Sequence, residues 1–593
     1  MRAAIPAPAQ PGRTWLVISA FALVAGLVVW RLYDLQVRQA GTYMHLAERQ
    51  ETRTWSLPAA RGSIRDIRGR ELAASRERWN LFADPDYMDD KLGATIALSR
   101  LLDLPRAELR QHFDSGSNGR LLARGLTRAQ MEAVAELDLA GVYTRLHYQR
   151  DYPQGSVAAS VIGFLRADGS GAGGIESRFD ANLTGVPGRR LVRVDAHGRP
   201  LLTGVDGEVM EVPRPGQHVQ LTIDADLQAR AEELLGTAIA HHQARAGAVI
   251  AIRPETGAIA AMASWPTFDL LQARNEGLDD IGPTRNQAIQ IVYESGSTMK
   301  PLVAGAAVAE GLASWEERVF CENGRWTYRH GRAARTIRDH SFKHGGHQWL
   351  TVAEGVAKSD NVLMAKLGIR LGPERLFRWV RHFGFGQKTG IDLAGESAGV
   401  VHPLRLWTPT GACMSVPIGH EFSVTPLQMA LMHAAVANRG LWNPPRLVDR
   451  IFTLDPSSGR IRDLDVPPMQ QPRRIFASRD ALAIQDAMRL VMEEGTGRRA
   501  QLDGYSSAGK TGTTEKLIDG RYADDRHIGS FVAWAPASRS HRAELLVLCV
   551  IDDPQRNGHY GSQTAAPVVQ ELLQYGLDEV YRVPPDRAVT EVR

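Results

Sequence analysis

The longest apolar run in the chain is Thr14 to Trp30, TWLVISAFALVAGLVVW, which carries no charge over 17 residues. At 1.5 Å per residue a helix of that length spans about 25 Å, near the lower limit for crossing a bilayer. Leu32, Tyr33, Leu35 and Val37 extend its apolar face, and Trp15, Trp30 and Tyr33 fall at interfacial depth. A cleaved signal peptide is the rival reading. Its small-x-small site could only be Ala20-Phe21-Ala22, which lies inside the run. A retained anchor over 14–35 is therefore predicted. The preceding residues 1–13 hold Arg2 and Arg13 and no acid, which favours a cytoplasmic N-terminus. No other segment is long and apolar enough to span, so the remainder is expected outside the cytoplasm.

Beyond the anchor the apolar period alternates between two and 3.6. RGSIRDIRGRELA (Arg61 to Ala73) reads as strand, turn, strand, with the turn at Asp66 to Gly69. GSGAGGIESRFDANLTG (Gly169 to Gly185) is a glycine-rich loop running into a helix. The two prolines of VPRPGQ (Val212 to Gln217) mark a domain boundary. HVQLTIDADLQARAEELL then gives a strand and a helix with Asp224 at its N-cap. GAVIAIRPETGAIAAMAS is a strand hairpin turning at Glu255-Thr256-Gly257. A helical middle follows, from about 297 to 500. SAGKTGTTEK, HIGSFVAWAPA and AELLVLCVIDD close the chain as three strands before a last helix, AAPVVQELLQYGL. Strands, then helices, then strands predict an α+β architecture: an antiparallel sheet flanked by helices.

Composition narrows the function. At 593 residues the chain is too long for one core. Its net charge is only +4 and its arginines are dispersed, which excludes a nucleic-acid footprint. Cys321, Cys413 and Cys549 are far apart and form no CxxC, so neither a disulfide framework nor a cysteine zinc site follows.

Lysine is rare: eight among 70 basic residues. One of them, Lys300, follows Ser297 by three residues in YESGSTMKPLVAG, which places both on one face of a helix start. A serine hydroxyl attacks only after a base takes its proton, and a lysine is such a base once burial or a neighbouring cation lowers its pKa. An isolated SxxK is more often a cap and a surface lysine, and a second one occurs at Ser507 and Lys510. Two further pieces decide the matter. AKSDNVLMAK holds Ser359-Asp360-Asn361 at a break between helices, and SAGKTGTTEK holds Lys510-Thr511-Gly512 on a predicted strand running into Thr513. SxxK, SDN and KTG in this order are the motif set of penicillin-binding proteins and class A β-lactamases. Ser507 follows SDN and cannot be the first member. Lys388-Thr389-Gly390 lies in a loop with no strand after it and is not the third.

From the membrane run to about residue 575 the chain resembles the class B penicillin-binding proteins, monofunctional transpeptidases of bacterial wall synthesis. Arg61-Gly62-Ser63-Ile64-x-Asp66-x-x-Gly69 resembles the first box of their N-terminal pedestal, with Ile67 where the family usually has arginine. Arg150 to Phe164 and Gly173 to Gly185 resemble its second and third boxes. IGHEFSVTPLQMALMHAAVANRG and DDPQRNGHYGSQTAAPV match stretches of its transpeptidase domain. Ser295-Gly296 stands where the family usually reads proline-glycine. Length and the short tail are most similar to the division-specific branch, penicillin-binding protein 3.

The resemblance implies a single transmembrane helix at 14–35, an elongated α/β pedestal at 36–215, a serine β-lactamase-like transpeptidase domain at 216–580 and a tail at 581–593. It implies that Ser297 attacks the penultimate D-alanine of a stem pentapeptide and that Lys300 takes its proton. Ser359, Asn361 and Lys510 would relay a proton to the leaving D-alanine, and Thr511, Gly512, Thr513 and Asp360 would contact substrate. It implies no cofactor and no metal. The implied partners are D-Ala-D-Ala donor and amine acceptor stems, β-lactams, a membrane glycan polymerase of the shape, elongation, division and sporulation family, and other division proteins. The catalytic domain would lie in the periplasm, held at the inner membrane. An elongation role, a carboxypeptidase, a β-lactamase and a non-turnover β-lactam receptor share the motifs. In RDHSFKHGGH, Asp339, His340, His344 and His347 cluster closely enough to hold a metal, although the glycines favour a polar loop.

Overall fold

The computed structural model describes residues 11–44, 52–115, 119–193, 208–276, 282–455, 458–466, 470–518 and 521–587. The first ten residues of the N-terminal tail and residues 588–593 of the C-terminal tail lie outside them. Two compact units form: residues 1–59 with 185–215, and residues 60–184 with 216–593.

The first unit holds the N-terminal helix Pro11–Tyr33, which continues through a π-turn at Asp34–Arg38. Its stretch Trp15–Arg38 is, by length and composition, enough to cross a membrane, and its most apolar 18-residue window is wholly exposed within the protein. Asp34 is tied to Arg31 at 2.9 Å and to Arg38 at 3.7 Å, so the polar end of the apolar helix carries its own counter-ions. A three-stranded antiparallel sheet, Thr52–Leu57, Gly188–Arg193 and Glu208–Glu211, completes the described part of this unit.

The second unit contains two large sheets. The first runs in the order Ile461–Leu464, Val448–Leu454, His218–Leu221, Ile64–Arg65, Glu71–Ala83 and Arg120–Leu126, with Val142–Asp151 also pairing on Glu71–Ala83. Helices Lys91–Leu102, Arg106–Asp114 and Arg128–Glu136 cover its far end over a core of Trp79, Leu81, Leu98 and Phe113. Beside it the three box segments converge on one carboxylate. Arg61 Nε and Arg150 Nε each donate to the fully buried Glu176, both at 2.7 Å, and Arg150 Nη1 donates to the Gly62 carbonyl at 2.7 Å. Two cations, 115 and 26 residues from the acid in sequence, thus form with it a buried, hydrogen-bonded pair network, whose partners are costly to remove singly. Ile67, the departure from the usual arginine, is 38% exposed, and Asp66 instead pairs with Arg70 at 2.7 Å.

The second sheet is antiparallel and five-stranded, in the order Ala258–Trp265, Ala246–Arg253, Leu545–Asp552, Arg521–Ala535 and Ala508–Ile518. Its interior strands read AVIAIR and LLVLCVI because both faces are covered. Helices Ala225–His242 and Ala566–Tyr575 cover one face. The other lies under the fully buried helix Pro426–Ala437 and under Lys300–Ala309, which packs with Asn361–His382 and Ser478–Glu493. The α+β expectation holds, with the Glu255-Thr256-Gly257 turn and the Asp224 cap, whose carboxylate accepts from the Asp226 and Leu227 amides.

Candidate active site

Ser297 sits in the 3₁₀ turn Gly296–Met299, which becomes the α-helix at Lys300. Two glycines let this turn press against the edge strand Ala508–Ile518. Gly296 holds φ +55°, and a Cβ there would lie 2.5 Å from Thr514 Cγ2; a Cβ on Gly512 would lie 3.0 Å from the Ser295 carbonyl oxygen. Thr298 Oγ1 closes the turn on the Ser295 carbonyl at 2.7 Å, and His433 from the buried helix bonds the Thr298 carbonyl at 3.0 Å. The serine–glycine dipeptide before the nucleophile position is therefore accommodated without loss of the turn.

Lys300 is 1% exposed, which removes the surface-lysine reading. Its Nζ donates to the Ser359 carbonyl, to Ser359 Oγ at 3.1 Å and to Asn361 Oδ1 at 2.7 Å. Among the described residues it makes no hydrogen bond to Ser297. Burial lowers its pKa to about 8, against the opposing pull of Asp339 and Asp360. Lys510 lies on the edge strand, wholly buried, with Nζ donating to Ser359 Oγ at 3.1 Å and to the Thr511 carbonyl at 3.0 Å. Burial, and then the charge of Lys300, hold it well below the usual lysine range. Ser359 adopts φ +61° at the break between helices Val352–Ala357 and Asn361–His382, which turns its hydroxyl between the two amines. Both amines thus lie within hydrogen-bond reach of one hydroxyl, which can both accept and donate.

On the edge strand Thr511 and Thr513 alternate with Lys510, whose Nζ curls back to donate to Thr511 Oγ1 at 3.4 Å. Thr511 Oγ1 meets Thr496 Oγ1 at 2.8 Å, and Thr513 Oγ1 accepts from the Gly561 amide at 3.0 Å, leaving its own hydrogen to donate. Ser507, the competing serine, precedes this strand on extended chain, and the Lys510 amine bonds Ser359 instead.

Asp360 differs from its expected place at the substrate. It is fully buried; one carboxylate oxygen caps the Leu363 amide at 2.8 Å and the other meets His347 Nδ1 at 3.2 Å. It supports the loop from behind. The histidine cluster divides in the same way. His347 joins Asp339 and Asp360 in a group whose ligand atoms lie within 4.8 Å of one another, while His340 turns to the Tyr560 hydroxyl at 3.2 Å. Both carboxylates are already engaged, Asp339 by the Ser341 amide at 2.8 Å and the Asn361 amide at 2.8 Å.

Sequence reasoning missed the support under the turn that carries Ser297. Glu294 accepts from the Glu421 amide at 2.8 Å and from Tyr522 OH at 3.1 Å, and meets His420 Nδ1 at 2.9 Å. Glutamate at three residues before the serine was a visible signal, but its partners come from 126, 127 and 228 residues away.

A serine beside two buried amines at the edge of an antiparallel sheet is the architecture of active-site-serine acyltransferases. Residues 247–574 match the penicillin binding protein transpeptidase domain, and residues 56–221 the penicillin-binding protein dimerisation domain. The probable peptidoglycan D,D-transpeptidase PenA of Neisseria meningitidis is 31% identical over 588 residues, covering 98% of this chain and 94% of its own. Peptidoglycan D,D-transpeptidase FtsI of Escherichia coli is 29% identical over 586 residues, covering 97% and 92%. The crystal structure of penicillin binding protein 3 from Mycobacterium tuberculosis in complex with aztreonam superposes with a TM-score of 0.65 at 26% identity, covering 90% of this chain and 99% of that one. The chain belongs to the penicillin-binding protein transpeptidase family.

Proposed function

We propose that this chain is a septal peptidoglycan D,D-transpeptidase working through an acyl-enzyme on Ser297. The observation that carries the mechanism is the Ser359 hydroxyl, 3.1 Å from both Lys300 Nζ and Lys510 Nζ beside the turn that bears Ser297. The neutral Lys300 amine takes the Ser297 proton as Oγ attacks the penultimate D-alanine carbonyl. The Ser297 and Thr513 amides hold the developing oxyanion. The proton passes from Lys300 through Ser359 to the departing D-alanine nitrogen as the peptide bond breaks. Asn361 fixes Lys300, Lys510 orients Ser359, and Thr511 and Thr513 take the substrate carboxylate against Gly512. An acceptor amine then attacks the ester, giving the crosslink and returning Ser297. A β-lactam follows the same first step and remains attached. No cofactor enters these steps.

In this reading residues 36–215 form the pedestal and 216–580 the transpeptidase domain. The N-terminus is cytoplasmic and the catalytic domain periplasmic. The anchor and pedestal bind a membrane glycan polymerase and other division proteins. Helices recognise one another in lipid by packed faces, so that choice resides in side chains between Trp15 and Tyr33. Depletion is expected to give filaments without completed septa, and replacing residues 14–35 with an unrelated spanning helix to leave acylation intact without rescuing division. Rounded cells would assign the chain to elongation. Normal division with intact penicillin acylation would favour a receptor.

Acylation should also follow the titration of Lys300. The base is active when neutral, and burial brings its pKa to about 8. The neutral fraction is roughly 10% at pH 7 and 90% at pH 9, so the second-order acylation rate should climb about tenfold over that window and level off above it. A flat profile from pH 6.5 to 9 in stopped-flow acylation would rule out Lys300 as the base.

A further inference from the structure

Away from the serine lies a cavity of about 260 Å³ that presents three cations: Arg381, Lys388 and Arg473. None of the three forms an ion pair among the described residues. Phe383, Leu431 and Trp442 supply apolar lining, Phe383 and Trp442 being almost wholly buried. The guanidinium of Arg473 lies over the Trp442 ring at 4.7 Å, set there by the short ladder Leu441–Trp442 with Arg473–Arg474. Burial holds this guanidinium below its usual range with no acid to offset the cost.

Capping accounts for part of the arrangement. Arg473 Nη1 donates to the His382 carbonyl, and Arg381 Nη1 to the Phe385 and Gly386 carbonyls at 2.9 and 3.0 Å, which satisfies the end of helix Asn361–His382. That role uses one nitrogen of each fork. The other donors form no hydrogen bond among the described residues, and backbone is brought up close to them. Gly384, at φ +89°, would place a Cβ 2.9 Å from Arg473 Nη2. The loop that carries Lys388 is stiffened from behind by Glu396, whose Oε1 accepts from the Thr389 amide at 2.6 Å and whose Oε2 accepts from the Gly390 amide at 3.1 Å. The second KTG triplet is thus a loop wrapped on a buried acid, with its lysine left at the cavity rim.

We propose that this cavity binds a phosphate ester. The free edges of Arg381 and Arg473 take phosphate oxygens, Lys388 closes the exposed side, and the organic part rests on Leu431 and Trp442. Guanidinium forks match the planar pairs of phosphate oxygens, and three positive charges suit a dianion better than a lone carboxylate. The helix Pro426–Ala437 carries Leu431 into this cavity and His433 onto the nucleophile turn, so one rigid element borders both sites.

The test is isothermal titration of the full chain in detergent. The protein is acylated beforehand with benzylpenicillin, so that the lysines at Ser359 are covered. Inorganic pyrophosphate should bind saturably with a Kd on the order of 1 mM or tighter. Lys388→Gln and Arg473→Gln should each weaken it at least about tenfold, while Lys343→Gln, at an exposed lysine elsewhere, should not. Because Arg473 also caps a helix, Lys388→Gln is the decisive variant; it should keep wild-type penicillin acylation. Tighter binding of short-chain phosphatidate than of pyrophosphate would assign a lipid headgroup, and the reverse a soluble phosphate. No saturable heat up to about 10 mM ligand, or equal weakening by Lys343→Gln and Lys388→Gln, would overturn the proposal.

Discussion

Ser297→Ala is expected to lose all covalent labelling by a fluorescent penicillin while its melting temperature stays within a few degrees of the parent. The acyl group has no oxygen to attach to once the hydroxyl is gone. The hydroxyl belongs to a half-buried side chain and carries no hydrogen bond among the described residues, so its loss should cost under about 1 kcal/mol of stability. Mass spectrometry after exposure to benzylpenicillin should show one adduct on the parent chain and none on the variant. The control is Ser507→Ala. That serine shares the three-residue spacing to a lysine, but it lies on extended chain and its lysine is turned to Ser359. Labelling should survive in this variant. Full loss in Ser507→Ala with the fold intact, or an unchanged adduct in Ser297→Ala, would show that the wrong serine had been chosen.

The preference for Ser297 over Ser507 rests on local order in the sequence: which pair precedes SDN, and which KTG runs into a strand. The apolar anchor, the hairpin at Gly257 and the Asp224 cap were legible for the same reason, each being written within a few residues. What the sequence hid comes from distant pairing. The sheet that joins Ile64–Arg65, His218–Leu221 and Val448–Leu454 draws on segments nearly 400 residues apart, and no local period announces it. Asp360 looked like a substrate contact because it stands between two polar site residues. The helix that begins at Asn361 needs a cap, and that need, together with His347, takes its carboxylate inward. Lys300 was expected to face Ser297. Its three N–H donors are instead filled by the loop at Ser359 to Asn361, since a buried ammonium must satisfy each of them. Lys300 is thus held by the loop that carries Ser359 and Asn361, not by Ser297.

Lys510→Ala should slow penicillin acylation by at least about 100-fold, equivalent to roughly 2.7 kcal/mol of transition-state stabilisation. Lys510 reaches Ser359 Oγ at 3.1 Å and lies on the strand that also carries Thr511 and Thr513. Removing it deletes one of the two amines that hold the Ser359 hydroxyl, the proposed relay. It also deletes the cation nearest the position proposed for the substrate carboxylate. Burial and the neighbouring Lys300 hold Lys510 below the usual lysine range, so an arriving carboxylate favours its protonated form and makes the attraction specific to bound substrate. Its decoy, Lys388, sits in a loop whose Thr389 and Gly390 amides are committed to Glu396, with no strand edge to offer a substrate. Lys388→Ala should therefore change acylation less than about threefold. Second-order rates for the two variants, measured with the same β-lactam at pH 8, decide the assignment. If Lys388→Ala proves the slower enzyme, the strand at Ala508–Ile518 is not the one that receives substrate, and the roles given to Thr511 and Thr513 fall with it.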